Sequence, residues 1–174
     1  MTSGFSQRSL DGGIDQLVVD GQATALWLCG KRVVGPAPAE VAARIGRNDD
    51  AVTVVCLCER HEIEDYYPHY VAWLTEHQGG RARWWPIPDL GAPTSSDARA
   101  WATEVNSLRS EGQHVVIHCG AGMGRAPTLA VAALILDGRL MDDVLAAVPV
   151  CRPLAGPESG EQMDLLREIA SGVI

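Results

Sequence analysis

One cysteine and one arginine, separated by five residues, stand out in the stretch "VVIHCGAGMGRAPTLAVAALIL", residues 115–136. An apolar run ends at His118 and Cys119, a loop with three glycines follows, and Arg125 opens a long apolar run. Glycines let a backbone curl so that several N–H groups point at one anion. An arginine beside them can bind two phosphate oxygens at once. A thiolate at the base of such a cup would be a nucleophile aimed at phosphorus.

Two elements must position this loop. The run "HVVIH" predicts a strand, and "GRAPTLAVAALILDG" predicts a helix that is apolar nearly all round and therefore buried. Ligands of open α/β sheets bind at the carboxyl ends of strands, and a helix N-terminus adds free N–H groups and a positive dipole end. The loop therefore predicts covalent phosphoryl transfer through a phosphocysteine. The residues expected to bind the phosphate are Gly120, Ala121, Gly122, Met123, Gly124 and Arg125.

The rest of the chain predicts an α/β fold with a mainly parallel sheet, because strands alternate with helices. "LVVD" and "ALWLC" predict a hairpin around Asp20 and Gly21, and "AVTVVCLC" and "RARWWPI" predict further strands. Helices are predicted in "PAPAEVAARIGRN", "PHYVAWLTEHQGG", "SDARAWATEVNSLRSEG" (with Ser95 or Ser96 as N-cap), "MDDVLAAVPV" and "ESGEQMDLLREIA". Residues 1–13 are expected to be a loose lead-in, and residues 14–174 a single domain.

Composition narrows the function classes. The formal net charge of −8 and the pI of about 5.0 argue against binding to nucleic acid or to an anionic membrane. The apolar run 126–136 is too short to span a bilayer, and no signal peptide is recognised, so a cytoplasmic protein is expected. The five cysteines form an odd set without the spacing of a disulfide scaffold, which predicts free thiols.

The segment "HCGAGMGR" matches the HCxxGxxR signature, and through it the chain resembles the protein tyrosine and dual-specificity phosphatase superfamily. The resemblance is nearest to the small atypical dual-specificity phosphatases of bacteria and archaea, and it runs from "TVVCLCERHEI" to the C-terminal helix. It implies a cysteine-phosphatase fold, a central sheet of four or five strands flanked by helices. It also implies that Cys119 is the nucleophile, that Arg125 binds phosphate and the transition state, and that His118 tunes the thiolate. The implied substrate is a phosphorylated protein or a small phosphomonoester, with no metal or other cofactor.

A phosphatase of this kind also needs an acid that protonates the leaving oxygen and later activates water. Asp89 follows a predicted strand in "WWPIPDLGAPT", and "PIPDLGAP" resembles the general-acid loop of the family. An aspartate that merely starts a turn is the structural alternative. Asp97 is the second candidate, although a position near a helix start already explains an acidic residue there.

The sequence departs from the family at the position after the arginine, where many members have serine or threonine and this chain has Ala126. Thr128 could supply the missing hydroxyl, and the "GRAP" variant also resembles the loop of plant glucan phosphatases. Gln162 falls where some members have a glutamine that orients water, or it is an exposed helical residue. Arg152 either adds positive charge near the pocket or caps the preceding helix.

Several alternatives stay open at this level. Ala126 favours a pseudophosphatase that binds phosphorylated partners without turnover, and a rhodanese-like sulfurtransferase would also use a cysteine loop. No lysine lies between Cys119 and Arg125, which argues against polyphosphorylated head groups and RNA ends. A shallow pocket that accepts phosphotyrosine and phosphoserine or phosphothreonine is expected, with a glucan or small phosphomonoester as the alternative. The aromatic residues that could form a substrate platform, but that more often pack in cores or rims, are Tyr66, Tyr67, Tyr70, Trp84 and Trp85.

The remaining cysteines suggest two further hypotheses. "CLCERH" invites a zinc site formed by Cys56, Cys58 and His61; we reject it because the two thiols are expected on opposite faces of a strand and no second ligand pair has suitable spacing. Cys29 or Cys151 could form a reversible disulfide with Cys119 under oxidation.

Overall fold

The computed structural model describes residues 10–172. Residues 1–9 of the predicted lead-in and residues 173 and 174 of the predicted domain lie outside that range. Five strands form one sheet in the order β1-β2-β5-β3-β4, in which only the β1–β2 pair is antiparallel. The strands are β1 (Ile14–Val19), β2 (Gln22–Gly30), β3 (Val52–Cys56), β4 (Ala82–Trp84) and β5 (His114–Cys119). The predicted α/β fold with a mainly parallel sheet of four or five strands is confirmed.

The first two strands form the predicted hairpin. Asp20 and Gly21 connect them, with φ angles of 51° and 73°. A two-residue turn with both φ angles positive matches the right-handed twist of the flanking strands, and aspartate followed by glycine adopts it readily. The hairpin places β2 beside β5, the strand that ends at Cys119.

Strand β5 is central and separates two cores. Val115, Ile117 and Cys119 pack in the core on the side of the C-terminal helices, whereas Val116 packs in the core on the opposite side. Because side chains alternate along a strand, the neighbouring residues His118 and Cys119 face opposite sides of the sheet.

Within residues 10–172, seven α-helices surround the sheet. They are α1 (Lys31–Val34), α2 (Val41–Arg44), α3 (Pro68–His77), α4 (Ser95–Ser110), α5 (Arg125–Leu136), α6 (Met141–Cys151) and α7 (Gly160–Ser171). Two predictions need correction. The segment predicted as one short helix is a 3-10 turn at Pro38–Glu40 followed by the single turn of α2. The N-cap of α4 is Thr94, because its hydroxyl accepts a hydrogen bond from the Asp97 N–H at 3.1 Å, so neither Ser95 nor Ser96 takes that role.

Helix α5 is the central helix of the fold. Its residues from Arg125 to Leu134 are all buried, as predicted from a helix that is apolar on every face. It packs against β5, α4, α6 and α7. Among the residues that the structure describes, no helix has the length and apolar character needed to cross a membrane. The burial of α5 fixes the position of its first residue, Arg125, beside the end of β5.

Candidate active site

The loop between β5 and α5 is fixed on both sides by backbone contacts. Cys119 is the last residue of β5 and is only 3 % exposed. Gly122 has a φ of +74°, and a Cβ on it would overlap the carbonyl oxygen of Cys29 on β2, so the loop requires glycine here. The Lys31 N–H donates to Gly120 O at 3.0 Å, and the Gly156 N–H donates to Met123 O at 2.8 Å. These contacts hold the loop of residues 120–124 in place. We call this loop, which lies above the Cys119 sulfur, the cradle.

Arg125 is the first residue of α5, and its guanidinium is held from several sides. Nη1 and Nη2 donate to the two carboxylate oxygens of Glu62, each at 2.8 Å, and Nη1 also donates to Ile87 O at 2.8 Å. Burial disfavours the charged guanidinium, but the hydrogen bonds with Glu62 and the charge of Cys119 outweigh that effect and raise the pKa of Arg125. The cation therefore stays charged in a nearly buried position.

Glu62 is a functional candidate that the sequence interpretation missed. It ends a 3-10 turn, Arg60–Glu62, and its carboxylate also accepts a hydrogen bond from the Glu59 N–H at 2.7 Å. Burial raises the pKa of Glu62, but the hydrogen bonds from Arg125 and Glu59 reverse this and hold the pKa below its ordinary value. The spacing of Glu59 and Glu62 is that of a capping box, and this was the available sequence signal.

Asp89 lies on the loop predicted to carry it, and it lines a cavity that also contains Cys119 and Arg125. Its Oδ1 is 3.2 Å from Arg125 Nη2, and its side chain is 74 % exposed. A tight turn, in which the Gly91 N–H donates to Pro88 O at 2.9 Å, holds the loop. The cavity measures about 360 Å³, and its lining includes Cys119, Arg125, Asp89, Lys31, Glu62, Leu90, Met123 and Glu158. Asp97, the second candidate acid, is exposed at the start of α4 and is not among the lining residues.

His118 faces the opposite side of the sheet from Cys119. It is fully buried, its Nε2 is paired with the Tyr70 hydroxyl at 2.6 Å, and its Nδ1 lies 3.3 Å from the carbonyl oxygen of Cys119. Burial and the neighbouring thiols raise the pKa of Tyr70, which keeps its hydroxyl neutral. The ring of His118 therefore contacts Cys119 through its backbone carbonyl.

The expectation that Cys56 and Cys58 point to opposite faces is wrong, because residues two apart on a strand share a face. Both sulfurs and a ring nitrogen of the buried His118 lie within 4.8 Å of one another. His61, the predicted third ligand, is instead exposed and lies 3.8 Å from the Glu59 carboxylate. A hydrogen bond with Cys56, followed by burial, raises the pKa of Cys58. Because the two cysteines share a face, the rejection of a metal site loses one of its two grounds, and the absence of a metal stays a prediction.

Arg152 supports the loop between β5 and α5 through its carbonyl oxygens. It is 2 % exposed, its Nε donates to Gly122 O at 3.0 Å, and its Nη2 donates to Ala121 O at 2.7 Å. Its Nη1 pairs with the Asp15 carboxylate at 2.6 Å. Its backbone N–H also caps α6, so it fills both predicted roles. Because these loop carbonyls turn toward Arg152, the loop N–H groups are free to face an anion.

Arg152→Ala is expected to destabilise the fold by about 3–5 kcal/mol, since it breaks a buried ion pair and removes the donor to Gly122 O and Ala121 O. Urea unfolding measures the change in the free energy of unfolding. Arg139→Ala is the matched control, because Arg139 pairs with Asp20 at the surface at 3.5 Å, and such a pair contributes about 0–1 kcal/mol. Equal losses in the two variants would contradict the assigned role of Arg152.

Gln162 is fully buried, so the alternative of an exposed helical residue is wrong. Its Nε2 donates to Gly91 O at 3.0 Å, and its Oε1 accepts from the Glu158 N–H at 2.8 Å. The amide therefore ties the Asp89 loop to the segment before α7. Thr128 does not replace the hydroxyl missing at Ala126 in this structure, because its Oγ1 donates to Gly124 O at 2.8 Å.

Gln162→Ala is expected to lower stability by about 1–3 kcal/mol, because the Glu158 N–H and the Gly91 carbonyl both lose a buried partner. The expected catalytic effect is a reduced kcat, since the Asp89 loop loses its anchor. Urea unfolding and steady-state hydrolysis of para-nitrophenyl phosphate measure the two effects. Glu161→Ala, an exposed neighbour on the same helix, serves as the control. Unchanged stability and kcat would refute the anchoring role.

Four of the five aromatic residues considered as a platform pack in the cores, whereas Tyr66 is exposed. Tyr70 is buried, Trp84 Nε1 donates to Cys58 O at 2.9 Å, and Trp85 stacks on Trp101 with ring centroids 5.3 Å apart. None of the five candidates is among the described residues that line the Cys119 cavity.

All five cysteines are free. Cys29 lies opposite His118 in the β2–β5 register, and its side chain packs in the core on the face opposite Cys119. Cys151 Sγ accepts a hydrogen bond from the Val18 N–H at 3.3 Å on β1. A disulfide between either residue and Cys119 stays a prediction, tested by mass spectrometry of peroxide-treated protein.

Comparisons with known proteins agree with this geometry. A family model described as "Tc-R-P: Polymorphic toxin system, DSP-PTPase phosphatase" matches residues 31–139. Protein tyrosine phosphatase type IVA 3 of Homo sapiens is 36 % identical over 63 residues, which cover 35 % of this chain and 36 % of that protein. The match thus spans about a third of that relative's length.

Solved structures match over more of the chain. The active form of Tk-PTP is 31 % identical, with a TM-score of 0.60, and the match covers 71 % of this chain and 81 % of that one. A kinase associated phosphatase has a TM-score of 0.71 at 18 % identity, covering 95 % and 97 % of the two chains, and it shares the fold. The stretch matched by the family model includes Glu62, Asp89, Cys119 and Arg125.

Proposed function

Since the chain belongs to the DSP-PTPase phosphatase family of polymorphic toxin systems, we propose that it hydrolyses phosphomonoesters through a phosphocysteine on Cys119. The proposed substrates are phosphotyrosine and phosphoserine or phosphothreonine in proteins. The observation that carries the proposal is one cavity lined by Cys119, by the Arg125 guanidinium and by the Asp89 carboxylate. A nucleophile, a phosphate-binding cation and a proton donor are the groups this reaction needs.

In the proposed first step the phosphate binds in the cradle of loop N–H groups, and Arg125 binds its oxygens. The Cys119 sulfur forms a bond to phosphorus while the bond between phosphorus and the ester oxygen breaks. Asp89 donates a proton to the leaving oxygen. Glu62 and Ile87 O hold the guanidinium in place, so that charge developing on phosphorus meets a preorganised cation. His118 supports the thiolate through the Cys119 backbone.

In the proposed second step water attacks the phosphocysteine. The oxygen–phosphorus bond forms, the sulfur–phosphorus bond breaks, and Cys119 leaves as a thiolate. A carboxylate must take the water proton; the family resemblance gives Asp89 this role as well. Inorganic phosphate then leaves the cavity, and the enzyme returns to its starting state. The proposed reaction uses no metal or other cofactor.

The lining of the cavity supports substrates with a single phosphate. Lys31 and Arg125 are its cations, and Glu62, Asp89 and Glu158 are its carboxylates. This balance disfavours polyphosphorylated head groups, in agreement with the net charge of −8. Leu90 and Met123 give the cavity apolar contacts suited to the carbon part of a substrate. A cytoplasmic location is part of the proposal, and the five free thiols support a reducing compartment.

Steady-state hydrolysis of para-nitrophenyl phosphate by the parent chain, with EDTA and between pH 5 and 8, tests this function. Phosphotyrosine and phosphothreonine peptides then resolve the substrate class. We expect turnover that EDTA does not affect. Turnover lost in EDTA, or sulfur transfer from thiosulfate without phosphatase activity, would refute the proposal.

A binding module without turnover is the second candidate function, and Ala126 is the observation that favours it. The side chain at this position has no hydroxyl to assist departure of the thiolate, and Thr128 is hydrogen-bonded to Gly124 instead. Product formation over time separates the candidates. Multiple turnovers support the phosphatase, whereas one equivalent of product followed by a stop supports the binding module.

A further inference from the structure

Glu158 places a second carboxylate at the phosphate cradle. It lies in the segment between α6 and α7 and lines the cavity that contains Cys119. A Cβ added to Gly124 would overlap the Glu158 carboxylate and would lie 3.0 Å from its Cγ. The carboxylate therefore rests against the loop residue that directly precedes Arg125, within the loop that we propose binds phosphate.

The backbone of Glu158 is held by a buried anchor. Its N–H donates to Gln162 Oε1 at 2.8 Å, and Gln162 Nε2 donates in turn to Gly91 O at 3.0 Å. One amide thus links the segment of Glu158 to the loop of Asp89. The two carboxylates are positioned by the same buried residue, although they approach the cavity from separate segments of the chain.

The two carboxylates differ in their partners. Asp89 Oδ1 lies 3.2 Å from Arg125 Nη2. The Glu158 side chain has no ion-pair partner within 4.0 Å in the part of the chain that the structure describes. It is exposed at the cavity, so a water molecule can reach it. A carboxylate that lines the cavity and forms no salt bridge, as Glu158 does, is suited to accept a proton from water.

We infer that Glu158, in place of the Asp89 that the family resemblance implies, is the general base of the second step, and that Asp89 is the acid of the first. This inference rests on the proposed function. Water attacks the phosphorus of phosphocysteine, the bond between sulfur and phosphorus breaks, and Cys119 departs as a thiolate. The proton of that water passes to the Glu158 carboxylate, which later releases it to solvent.

Glu158→Gln tests the inference, because it keeps the shape of the side chain and removes the base. With para-nitrophenyl phosphate we expect kcat to fall about 10²-fold, while kcat/KM stays within twofold of the parent value. The reason is that kcat/KM reports only the steps up to release of the nitrophenolate, which precede the attack of water. Rapid-quench kinetics should then show a burst of about one equivalent of nitrophenolate, and the phosphorylated enzyme should accumulate.

Glu161→Gln is the matched control, since Glu161 is an exposed carboxylate three residues along the chain and outside the cavity lining; it should leave both constants unchanged. Unchanged kcat in Glu158→Gln would overturn the inference. A parallel fall of kcat and kcat/KM would also overturn it, because Glu158 would then act in the first step or in folding. A rise of kcat/KM would overturn it as well, because Glu158 would then only repel the substrate. Failure of the proposed function is a different result: the parent chain itself would show no turnover.

Discussion

Cys119→Ser is expected to reduce turnover of para-nitrophenyl phosphate by about 10⁴-fold or more, since removal of the nucleophile removes the covalent path. Cys119 is only 3 % exposed, and serine is slightly smaller, so the cradle and Arg125 should keep their positions. Binding of inorganic phosphate should therefore persist. The variant separates the chemistry from the binding site.

Two measurements on the purified variant check this result. Steady-state kinetics gives the loss of turnover, and isothermal titration calorimetry gives the affinity for inorganic phosphate in the parent and variant chains. Cys151→Ser is the matched control, because Cys151 lies at the end of α6 against Val18. Full activity in Cys119→Ser would show that another group is the nucleophile.

Asp89→Asn should lower kcat/KM by about 10²–10⁴-fold for substrates with poor leaving groups, as expected for the loss of a general acid. The loss should be smaller for para-nitrophenyl phosphate, because nitrophenolate leaves without a proton. Affinity for phosphate should change little, since the cradle and Arg125 are intact. In Asp89→Asn, kcat/KM should therefore depend more strongly on the leaving group than in the parent chain.

A series of aryl phosphates with leaving groups of increasing basicity measures this dependence. Phosphotyrosine peptide extends the series to the proposed natural chemistry. Asp97→Asn is the control, because Asp97 is an acidic residue at the start of α4 outside the cavity lining. An equal loss for every leaving group would exclude Asp89 as the proton donor of the first step.

The fold could be predicted from the sequence where one local signal determined the structure. The turn at Asp20 and Gly21, the apolar strand before Cys119 and the all-round apolar helix after Arg125 are signals of this kind. Local signals were weaker at helix starts. Thr94, Ser95 and Ser96 are all good N-caps, and only the hydrogen bond to the Asp97 N–H distinguishes Thr94.

The sequence predicts the parts of the candidate site whose residues lie together in one short segment. The cradle and Arg125 lie in one motif, and Asp89 lies in a recognisable loop. Glu62 and Glu158 come from distant segments, and nothing in their local sequence states that the fold brings them to this loop. Their roles depend on tertiary contacts, so they became visible only in the structure.

The cluster of Cys56, Cys58 and His118 depends on both strand geometry and strand alignment. Cys56 and Cys58 were assigned to opposite faces, although a separation of two residues places them on the same face. Their pairing with His118 further depends on the parallel alignment of β3 with β5, which joins Cys56 to His118 in register. Sequence spacing alone does not give that alignment.

Rapid-quench mass spectrometry tests the central claim most directly. The parent chain is mixed with excess para-nitrophenyl phosphate, denatured within milliseconds and digested, and its peptides are analysed. The account predicts one phosphoryl group on Cys119 during turnover, and no such group in Cys119→Ser. Steady turnover without any phosphorylated enzyme, or a phosphoryl group on another residue, would contradict it.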